Sequence, residues 1–362
     1  MPDYTVSEIP FSDTRGNQQM DALLHREGIR RDRNLDYSCG IFDENINLIA
    51  TGSFFQNTLR CLAVSSLHQG EGLMNQIVSH LVSIQAERGN THLFLYTKWD
   101  SAKFFSDLGF YEIVGVNKQI VFMENRRTGF LNYLKKLQKE TDESPVMKKY
   151  AASSASKPLR IASIVMNANP FTLGHQYLTE QACCQNDIVH LFMVSENSSL
   201  IPFSIRKRLI MEGTAHLSNI IYHDSGPYMI SNATFPSYFQ KDSHAVMESH
   251  AFLDLSVFSK IAHALSIQNR YAGEESHSEV TSIYNQIMKD RLPEYGIQCT
   301  VLPRKKIDNE IVSASFVRQA IKDNNQSLLE KFLPDTTLAF FKSPEAAQVI
   351  RQISACKNVL HH

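Results

Sequence analysis

One segment of fifteen residues, Ile161 to His175, constrains the fold more than any other part of the chain; its sequence is IASIVMNANPFTLGH. Its first part is a run of apolar and small residues, which is typical of a parallel strand covered on both faces. Polar residues and a proline interrupt this run, and Thr172 begins a helix. In open α/β sheets, phosphate binds where a helix starts just beyond a strand, because free N–H groups and the helix dipole face the anion there. The segment therefore predicts a phosphate-binding strand–loop–helix unit.

Length, charge and cysteine content narrow the class of protein. The chain has 362 residues, enough for two domains of ordinary size. Its formal net charge of −1 argues against general binding to nucleic acid or a membrane surface, and no apolar run approaches the roughly 20 residues of a membrane span. The amino terminus lacks a signal-peptide core, and the six cysteines show neither a C-x-x-C pair nor zinc spacing. We expect a cytoplasmic protein without nucleic-acid or membrane partners and without a protein-built metal site.

The segment from Lys135 to Pro158 is the most linker-like part of the chain, because it is first charged, then rich in serine and alanine, with little apolar periodicity. It predicts a domain boundary near Tyr150, with one domain over residues 1–150 and a second over residues 151–362. The terminal pair His361-His362 is left out because it is equally consistent with a native end and a tag remnant. In the second domain, strands alternate with helices, which predicts a mostly parallel, doubly wound sheet.

The first domain contains a glycine-rich loop between a strand and an amphipathic helix. The strand Leu59 to Val64 precedes the loop, whose sequence is HQGEG, and a later segment reads KFFSDLGFYEI. This order resembles the GNAT acetyltransferases, which implies an α+β fold in which backbone N–H groups hold a pyrophosphate at the helix start. Met74 stands at the last position of the family's loop pattern, where the backbone approaches acyl-CoA. The sequence therefore favours a scaffold that packs or recognises a partner over an active acyltransferase.

The T-x-G-H motif at Thr172 to His175 resembles the [HT]-x-G-H signature of the nucleotidyltransferase superfamily, which implies a Rossmann-like fold. Members of that superfamily catalyse in-line attack on the α-phosphate of a nucleotide, a reaction that needs positioned donors and cations. The resemblance implies that His175 stabilises charge on the α-phosphate and that Thr172 offers a hydroxyl donor. Gly174 would let the ligand approach the backbone. The alternative is an ordinary helix start with an exposed histidine.

A second motif, Ser313-Ala-Ser315-x-x-Arg318, resembles the superfamily's downstream I-S-S-T-x-[IV]-R element. Hydroxyls at a helix start, with an arginine one turn inside, suit the β- and γ-phosphates. A capping serine with a solvated arginine is the alternative for this motif. Arg206, in preference to Arg208, is a further candidate for binding phosphate. The turn at Gly273 and Glu274 is a candidate for contacting the ribose or adenine. The basic run Arg304-Lys305-Lys306 is interpreted as a solvated loop.

Four runs occur in a fixed order behind the GNAT-like part: MNANPFTLGH, SNATFPSYFQK, YAGEE–VTSIYN and IVSASFVR. Together they resemble the citrate lyase ligase family over nearly the whole chain. The resemblance implies an AMP-forming ligase that uses ATP, Mg²⁺ and acetate to acetylate the thiol of the prosthetic group on the citrate lyase acyl carrier subunit. It also implies acetyl-AMP as the intermediate. Ser276 replaces the proline that the family often has after GEE.

The same resemblance supplies further site candidates. Asn167, Asn169 and Phe171 would shape the nucleotide pocket. Lys241 would supply catalytic charge, or would be a surface lysine. Ser231 and Thr234 are candidates for holding acetate or the phosphates.

Two other functions stay open at this point. The first is a plain adenylyltransferase acting on a phosphopantetheine-like or mononucleotide acceptor, which the superfamily allows. The second is a GNAT acetyltransferase with a degenerate nucleotide domain, or a carrier-binding protein without catalysis. Formation of a dinucleotide-type product without acetate would favour the first, and tight acetyl-CoA binding that depends on Gly72 would favour the second.

Overall fold

The computed structural model describes residues 4–32, 34–116, 118, 120–152, 157–231, 234, 244–274 and 279–359. The chain divides into two compact units, Met1–Phe130 and Leu131–His362. The boundary predicted near Tyr150 lies inside the second of these units. No helix among the described residues is both long and apolar enough to cross a membrane.

The first unit is an α+β structure built on one sheet. Its strands are β1 Val6–Glu8, β2 Tyr37–Phe42, β3 Leu48–Phe55, β4 Thr58–Val64, β5 Phe94–Lys98, β6 Tyr111–Val116 and β7 Ile120–Glu124. Its helices are α1 Thr14–Arg26, α2 Leu73–Glu87 and α3 Ala102–Asp107. The strand order is β1-β2-β3-β4-β5-β7-β6, and every pair is antiparallel except β4–β5. The glycine-rich loop leads from β4 into α2, as predicted, and α2 buries Leu73, Ile77 and Leu81 against the sheet.

The second unit is an α/β structure around a five-stranded sheet in which every pair is parallel. The strands are β8 Ile161–Met166, β9 Ile188–Met193, β10 Ile220–Asp224, β11 Asn269–Gly273 and β12 Gln298–Leu302. The helices are α4 Gly129–Asp142, which starts at the unit boundary, α5 Pro145–Ala152, α6 Leu173–Gln185, α7 Phe203–Gly213, α8 His244–Ala264, α9 Glu279–Arg291, α10 Ala314–Lys322, α11 Gln326–Phe332, α12 Asp335–Lys342 and α13 Ala347–Ala355. A small hairpin consists of β13 Lys306–Ile307 and β14 Glu310–Ile311. The predicted doubly wound parallel sheet is confirmed.

The two faces of this sheet have different cores, because successive side chains along a strand point to opposite sides. One face carries Ile164, Leu191 and Tyr271, which pack in the large apolar core that α6, α7 and α10 to α13 complete. The other face carries Ile188 and Ile221, against which Val146 of α5 packs. Helices on both faces explain why β8 and β9 are almost entirely buried.

The interpretation of residues 135–158 as a linker was wrong for most of that segment, which forms α4 and α5. Phe130, Tyr133 and Leu137 are buried along one side of α4, at a spacing of three and four residues. The Tyr133 hydroxyl donates to the carbonyl oxygens of Asp224 and Ser225 at the end of β10. Most of the lysines and glutamates that suggested a linker occupy the solvent side of these helices, which is an ordinary amphipathic arrangement, whereas Glu140 of α4 is half-buried and contacts His223.

Candidate nucleotide-binding site

The candidate residues meet at the point where the strand order of the parallel sheet reverses. The order β10-β9-β8-β11-β12 shows that the chain winds from β8 to β10 in one direction and then crosses to the other side of β8 for β11 and β12. Loops at the carboxyl ends of β8 and β11 therefore diverge and leave a crevice, which is where open α/β sheets bind their ligands. The T-x-G-H motif follows β8, Gly273 ends β11, and Arg304 follows β12.

His175 lies in the first turn of α6, and its hydrogen bonds determine which ring nitrogen carries the proton. The backbone N–H of Thr172 donates to His175 Nδ1 at 3.1 Å, and Thr172 Oγ1 lies 2.9 Å from the same atom. Since a backbone N–H can only donate, Nδ1 is an acceptor, and the neutral ring carries its proton on Nε2. The half-buried side chain thus offers one N–H donor.

The surroundings of His175 keep its ring uncharged. Burial, together with the positive charges of Arg304 and Arg318, lowers the pKa of His175 from 6.5 to about 3. At neutral pH the ring therefore acts as a fixed hydrogen-bond donor instead of a cation or a proton-transfer group. The same two arginines make the crevice electropositive, which favours a phosphate ligand.

Thr172 caps α6 and is almost completely buried, with 1% of its surface exposed. Its hydroxyl faces His175 Nδ1, so in this structure it orients the ring. Gly174 lies against the loop that carries the second motif. A Cβ atom added to Gly174 would come within 3.3 Å of the carbonyl oxygen of Val312, so this close packing accounts for a glycine at that position.

The second motif begins α10 and contacts the first motif directly. Ser313 caps α10 and accepts a hydrogen bond from the backbone N–H of Ser315 at 3.2 Å. Arg318 is 2% exposed and donates from Nη2 to Ser315 Oγ, from Nε to the carbonyl of Val359 and from Nη1 to the carbonyl of Asn169. The structure thus brings the two predicted motifs together, with Arg318 as their buried connection.

Asn169 contributes a buried donor to the loop between β8 and α6. Its Oδ1 accepts a hydrogen bond from the backbone N–H of Ile201 at 3.2 Å, which fixes the orientation of the amide. Its Nδ2 is buried and has no hydrogen-bond partner among the described residues. A buried donor of this kind usually has a protein, water or ligand partner. Asn169 therefore fits a bound polar ligand in the crevice.

Arg206 and Asn167 form a scaffold behind the crevice. Arg206 is fully buried, and its guanidinium donates to the carbonyls of Ile201, Val194 and Asn167 and to Asn167 Oδ1. Asn167 also donates to Ser199 Oγ at 2.9 Å. These bonds join the loops after β8 and β9. Arg208, the other arginine considered for phosphate, lies on the surface and pairs with Glu345.

Phe171 belongs to the apolar core. It is completely buried and stacks on His175 with ring centroids 5.7 Å apart. Gly213, the last residue of α7, makes room for this ring, because a Cβ atom there would lie 2.4 Å from Phe171 Cε1. Phe171 therefore packs against one face of the His175 ring. Helix α7 itself starts at Phe203, with Pro202 in the capping position.

The turn after β11 borders open space and is held by an arginine. Among the described residues, a Cβ atom on Gly273 would meet nothing within 4 Å, so the described part of this turn leaves room for a flat ligand. The backbone of Glu274 is fixed by two bonds, from its N–H to the carbonyl of Leu302 and from Arg304 Nε to its carbonyl. The interpretation of Arg304 as part of a solvated loop was wrong, because it is half-buried beside His175. Its position two residues beyond β12 was the signal for this role.

Ser231 and Thr234 lie in a buried network around Asp254 of α8. Thr234 Oγ1 donates to the carboxylate of Asp254 at 2.9 Å, and Ser231 Oγ donates to the carbonyl of Pro227 at 2.6 Å. Asp254 also accepts from the backbone N–H of Ile230. Both hydroxyl side chains are therefore held by the protein itself. Lys241 and Glu275 lie outside the described residues.

The crevice presents hydrogen-bond donors and positive charge. The His175 donor, the Asn169 Nδ2 donor and two arginine charges suit phosphate oxygens. Within the described ranges, no group of three or more His, Cys, Asp or Glu side chains is placed to hold a metal ion.

Comparison with known proteins places the chain in a family. Residues 161–341 match the family described as the citrate lyase ligase C-terminal domain. The citrate (pro-3S)-lyase ligase of Haemophilus influenzae is 36% identical over 329 residues, which cover 89% of this chain and 94% of that protein. The enzyme of the same name from Escherichia coli is 32% identical over 343 residues, covering 93% of each chain.

Solved structures resemble about a third of the chain. An acetyltransferase of the GNAT family from Staphylococcus aureus is 13% identical, with a TM-score of 0.28, and covers 34% of this chain and 99% of its own. An aminoglycoside 6'-N-acetyltransferase complexed with coenzyme A is 15% identical, with a TM-score of 0.29, and covers 33% of this chain and 95% of its own.

Proposed function

The chain belongs to the citrate lyase ligase family and is an enzyme of the ligase class, and from this premise we propose that it uses ATP to attach acetate to citrate lyase. The acceptor is the thiol of the prosthetic group on the acyl carrier subunit. The proposed products are the acetylated carrier, AMP and diphosphate. The alignments with the two named relatives run through both units, so the proposal covers the whole chain.

Two steps account for these products. An oxygen of the acetate carboxylate attacks the α-phosphate of ATP, the bond to the bridging oxygen of the β-phosphate breaks, and diphosphate leaves with acetyl-AMP formed. The carrier thiolate then attacks the acetyl carbonyl, and the carbon–oxygen bond to AMP breaks. Neither step needs a protein nucleophile, which agrees with a site that presents donors and positive charge.

His175 carries the first step in this proposal. Its Nε2–H donates to a non-bridging oxygen of the α-phosphate, where negative charge increases in the transition state. Because burial and neighbouring arginines keep the ring neutral, it provides this hydrogen bond without exchanging a proton. Thr172 and Phe171 hold the ring in place through the contact at Nδ1 and the stacked face.

Positive charge and backbone donors hold the rest of the nucleotide. Arg304 and the first turn of α10 face the β- and γ-phosphates, and the open side at Gly273 accepts the nucleoside. Arg318 positions the two motif loops, and its charge adds to the field at the phosphates. Mg²⁺, bound through the phosphates, would neutralise charge on the departing diphosphate.

The observation that carries the nucleotide step is the neutral, Nε2-protonated His175 at the point where the strand order reverses. An exchange assay tests this step without the carrier: the protein is incubated with ATP, Mg²⁺, acetate and labelled diphosphate. Label should enter ATP only when acetate is present, and hydroxylamine should trap acetyl hydroxamate. Absence of acetate-dependent exchange, with acetylation of the carrier still occurring, would exclude free acetyl-AMP as the intermediate.

The acceptor is tested separately with the deacetylated carrier subunit. Acetylated carrier and AMP should then form in equal amounts. A dinucleotide-type product formed without acetate would instead support an adenylyltransferase. Acetyl transfer from acetyl-CoA without ATP would support the acetyltransferase alternative.

A further inference from the structure

Three buried polar side chains lie side by side in the middle of the parallel sheet. Ser163 on β8 is the register partner of His190 on β9 and of Arg270 on β11. Register partners on neighbouring strands point to the same face and lie about 4.8 Å apart. The exposed fractions are 0% for Ser163, 0% for His190 and 3% for Arg270. A polar row thus crosses three central strands, and His223 on β10 lies on the same face.

Each residue of this row has one buried polar atom without a hydrogen-bond partner among the described residues. The atoms are Ser163 Oγ, His190 Nε2 and Arg270 Nη1. The row is closed off on its outer side, because the Arg270 guanidinium lies over the ring of Phe258 on α8, 4.3 Å from the ring centroid. Three such atoms on adjacent strands indicate a shared small ligand, since buried polar groups are nearly always paired.

The chemical class of this ligand follows from the hydrogen-bond roles of the three atoms. Arg270 Nη1 can only donate, and Ser163 Oγ can donate or accept. The hydrogen-bond role of His190 Nε2 depends on the bond at the other ring nitrogen, Nδ1. His223 Nδ1 lies 2.7 Å from Glu140 Oε2, and His223 Nε2 lies 2.9 Å from His190 Nδ1. His190 Nε2 accepts when His190 carries its proton on Nδ1 and donates to His223, and it donates when His223 Nε2–H donates to His190 Nδ1.

Two of these groups have shifted pKa values. Burial raises the pKa of Glu140, but the hydrogen bond and charge of His223, together with Lys136, lower it below the ordinary value, so the carboxylate is ionised at neutral pH. Burial, and then the charge of His223, lower the pKa of His190 to about 3. His190 is therefore neutral, with one ring nitrogen that donates and one that accepts.

We infer that a single water molecule binds at this three-residue site, accepting from Arg270 Nη1 and forming hydrogen bonds with His190 Nε2 and Ser163 Oγ. Three polar partners are typical of a buried structural water. The water would complete a hydrogen-bonded chain from Glu140 on α4, through both histidines, to Arg270. Water fits either position of the His190 proton because it can donate and accept, whereas an anion fits only when that proton is on Nε2.

Acetate is excluded from this site by distance. Ser163 lies three residues before the end of β8, and Arg270 lies three residues before the end of β11. At about 3.3 Å per residue, the site is roughly 10 Å below the carboxyl edge where the α-phosphate would bind. A carboxylate must approach the reacting phosphorus to about 3.5 Å. The water site is therefore separate from the proposed reaction, and its test does not depend on ligase activity.

A crystal structure of the full chain at high resolution, with a parallel bromide soak, tests the inference. The expected result is one electron-density peak within hydrogen-bonding distance of all three atoms and no anomalous bromide signal there. No peak, a direct contact of Ser163 Oγ with His190 Nε2, or a bromide peak at the site would each overturn it.

Two variants give a solution test. Ser163→Ala leaves space for the water with two remaining partners, whereas Ser163→Val fills that space with methyl groups. Strand propensity and apolar burial both favour valine over alanine. Because valine displaces the water, the inference predicts the opposite order, with a lower urea midpoint for Ser163→Val. A midpoint for Ser163→Val at or above that of Ser163→Ala would contradict a bound water.

Discussion

Arg318 donates a hydrogen bond from Nη1 to the carbonyl oxygen of Asn169, a residue 149 positions earlier in the chain. The same guanidinium bonds to the carbonyl of Val359 and to Ser315 Oγ. A single buried side chain thereby fixes the loop after β8 against the start of α10 and the carboxyl-terminal segment. The two motifs of the candidate site are held in register by this contact, so Arg318 can affect binding even where it does not touch the ligand.

Replacing Arg318 should therefore damage stability and nucleotide binding together. Arg318→Met leaves the Asn169 and Val359 carbonyls without their donor, which should reduce the free energy of unfolding by about 3 kcal/mol. Arg318→Lys keeps the charge but cannot reproduce the planar set of donors, so it should restore only a small part of this loss. Urea denaturation and ATP titration check both effects.

The matched control for Arg318 is Arg208→Met. Arg208 lies in the same unit but on the surface, paired with Glu345 and Glu212. Exposed ion pairs contribute roughly 0–1 kcal/mol, so this variant should stay close to the wild type. Full stability and binding in Arg318→Lys would contradict the connecting role that we assign to the guanidinium.

Replacement by alanine should affect the stability of two glycine positions in the second unit differently. Gly213→Ala places a Cβ atom 2.4 Å from Phe171 Cε1, so the ring that supports His175 must move. Such overpacking typically costs about 1–3 kcal/mol. Activity should fall as well, because His175 loses its stacked support.

Gly273→Ala is the counterpart, because its added Cβ atom meets nothing within 4 Å in the part of the chain that the structure describes. Its thermal stability should stay near that of the wild type, while the affinity for ATP falls if the nucleoside passes over Gly273. Thermal unfolding with and without ATP separates the two effects. Unchanged ATP affinity in Gly273→Ala would place the nucleoside elsewhere.

Periodicity predicted the sheet of the second unit well, because buried parallel strands are continuous apolar runs that need no tertiary information. The apolar run at the start of the Ile161 to His175 segment forms β8, as predicted. Local sequence did not reveal which polar residues are buried. Arg206 resembled a phosphate ligand in the sequence, yet its guanidinium donates to backbone carbonyls of the two loops after β8 and β9.

Arg304 is the reverse case, because its sequence context suggested a solvated residue and not a residue of the site. In the sequence it begins a basic run that resembles a solvated loop, and only the sheet order brings it beside His175. The amphipathic helices α4 and α5 were missed for a third reason: their many charged residues hid the three- and four-residue spacing of Phe130, Tyr133 and Leu137. Burial and neighbours depend on packing between distant segments, so they are not contained in any single motif.

Acid should destabilise the second unit through its buried histidines. The pKa of His190 is about 3 in the folded chain, against an ordinary value of 6.5. Below about pH 6.5, His190 binds a proton in the unfolded chain but stays neutral in the folded chain. The contribution of neutral His190 to stability is therefore complete above pH 6.5 and is lost as the pH falls towards 3. One such group changes the free energy of unfolding by at most about 1.4 kcal/mol per pH unit.

Urea denaturation between pH 7 and pH 5 measures this slope. In His190→Gln, the free energy of unfolding should decline less steeply on acidification, by up to about 1.4 kcal/mol per pH unit. His216→Ala serves as the control, since His216 lies on the surface beside Glu180, and its slope should match that of the wild type. Equal slopes for wild type and His190→Gln would show that His190 does not resist protonation in the folded chain.

Removing the side chain of His175 should slow the nucleotide step without preventing binding. His175→Ala deletes the Nε2–H donor proposed for the α-phosphate, and loss of one preorganised donor typically lowers kcat by about 10² to 10³. The KM for ATP should change much less, because Arg304 and the backbone donors of α10 remain. Acetate-dependent exchange of labelled diphosphate into ATP measures the effect, with His216→Ala as the surface control. The rate should also show no titration of His175 between pH 6 and 8, since its pKa lies far below that range. A His175→Ala variant with wild-type kcat would remove the central element of the proposed mechanism, even if ATP still bound in the crevice.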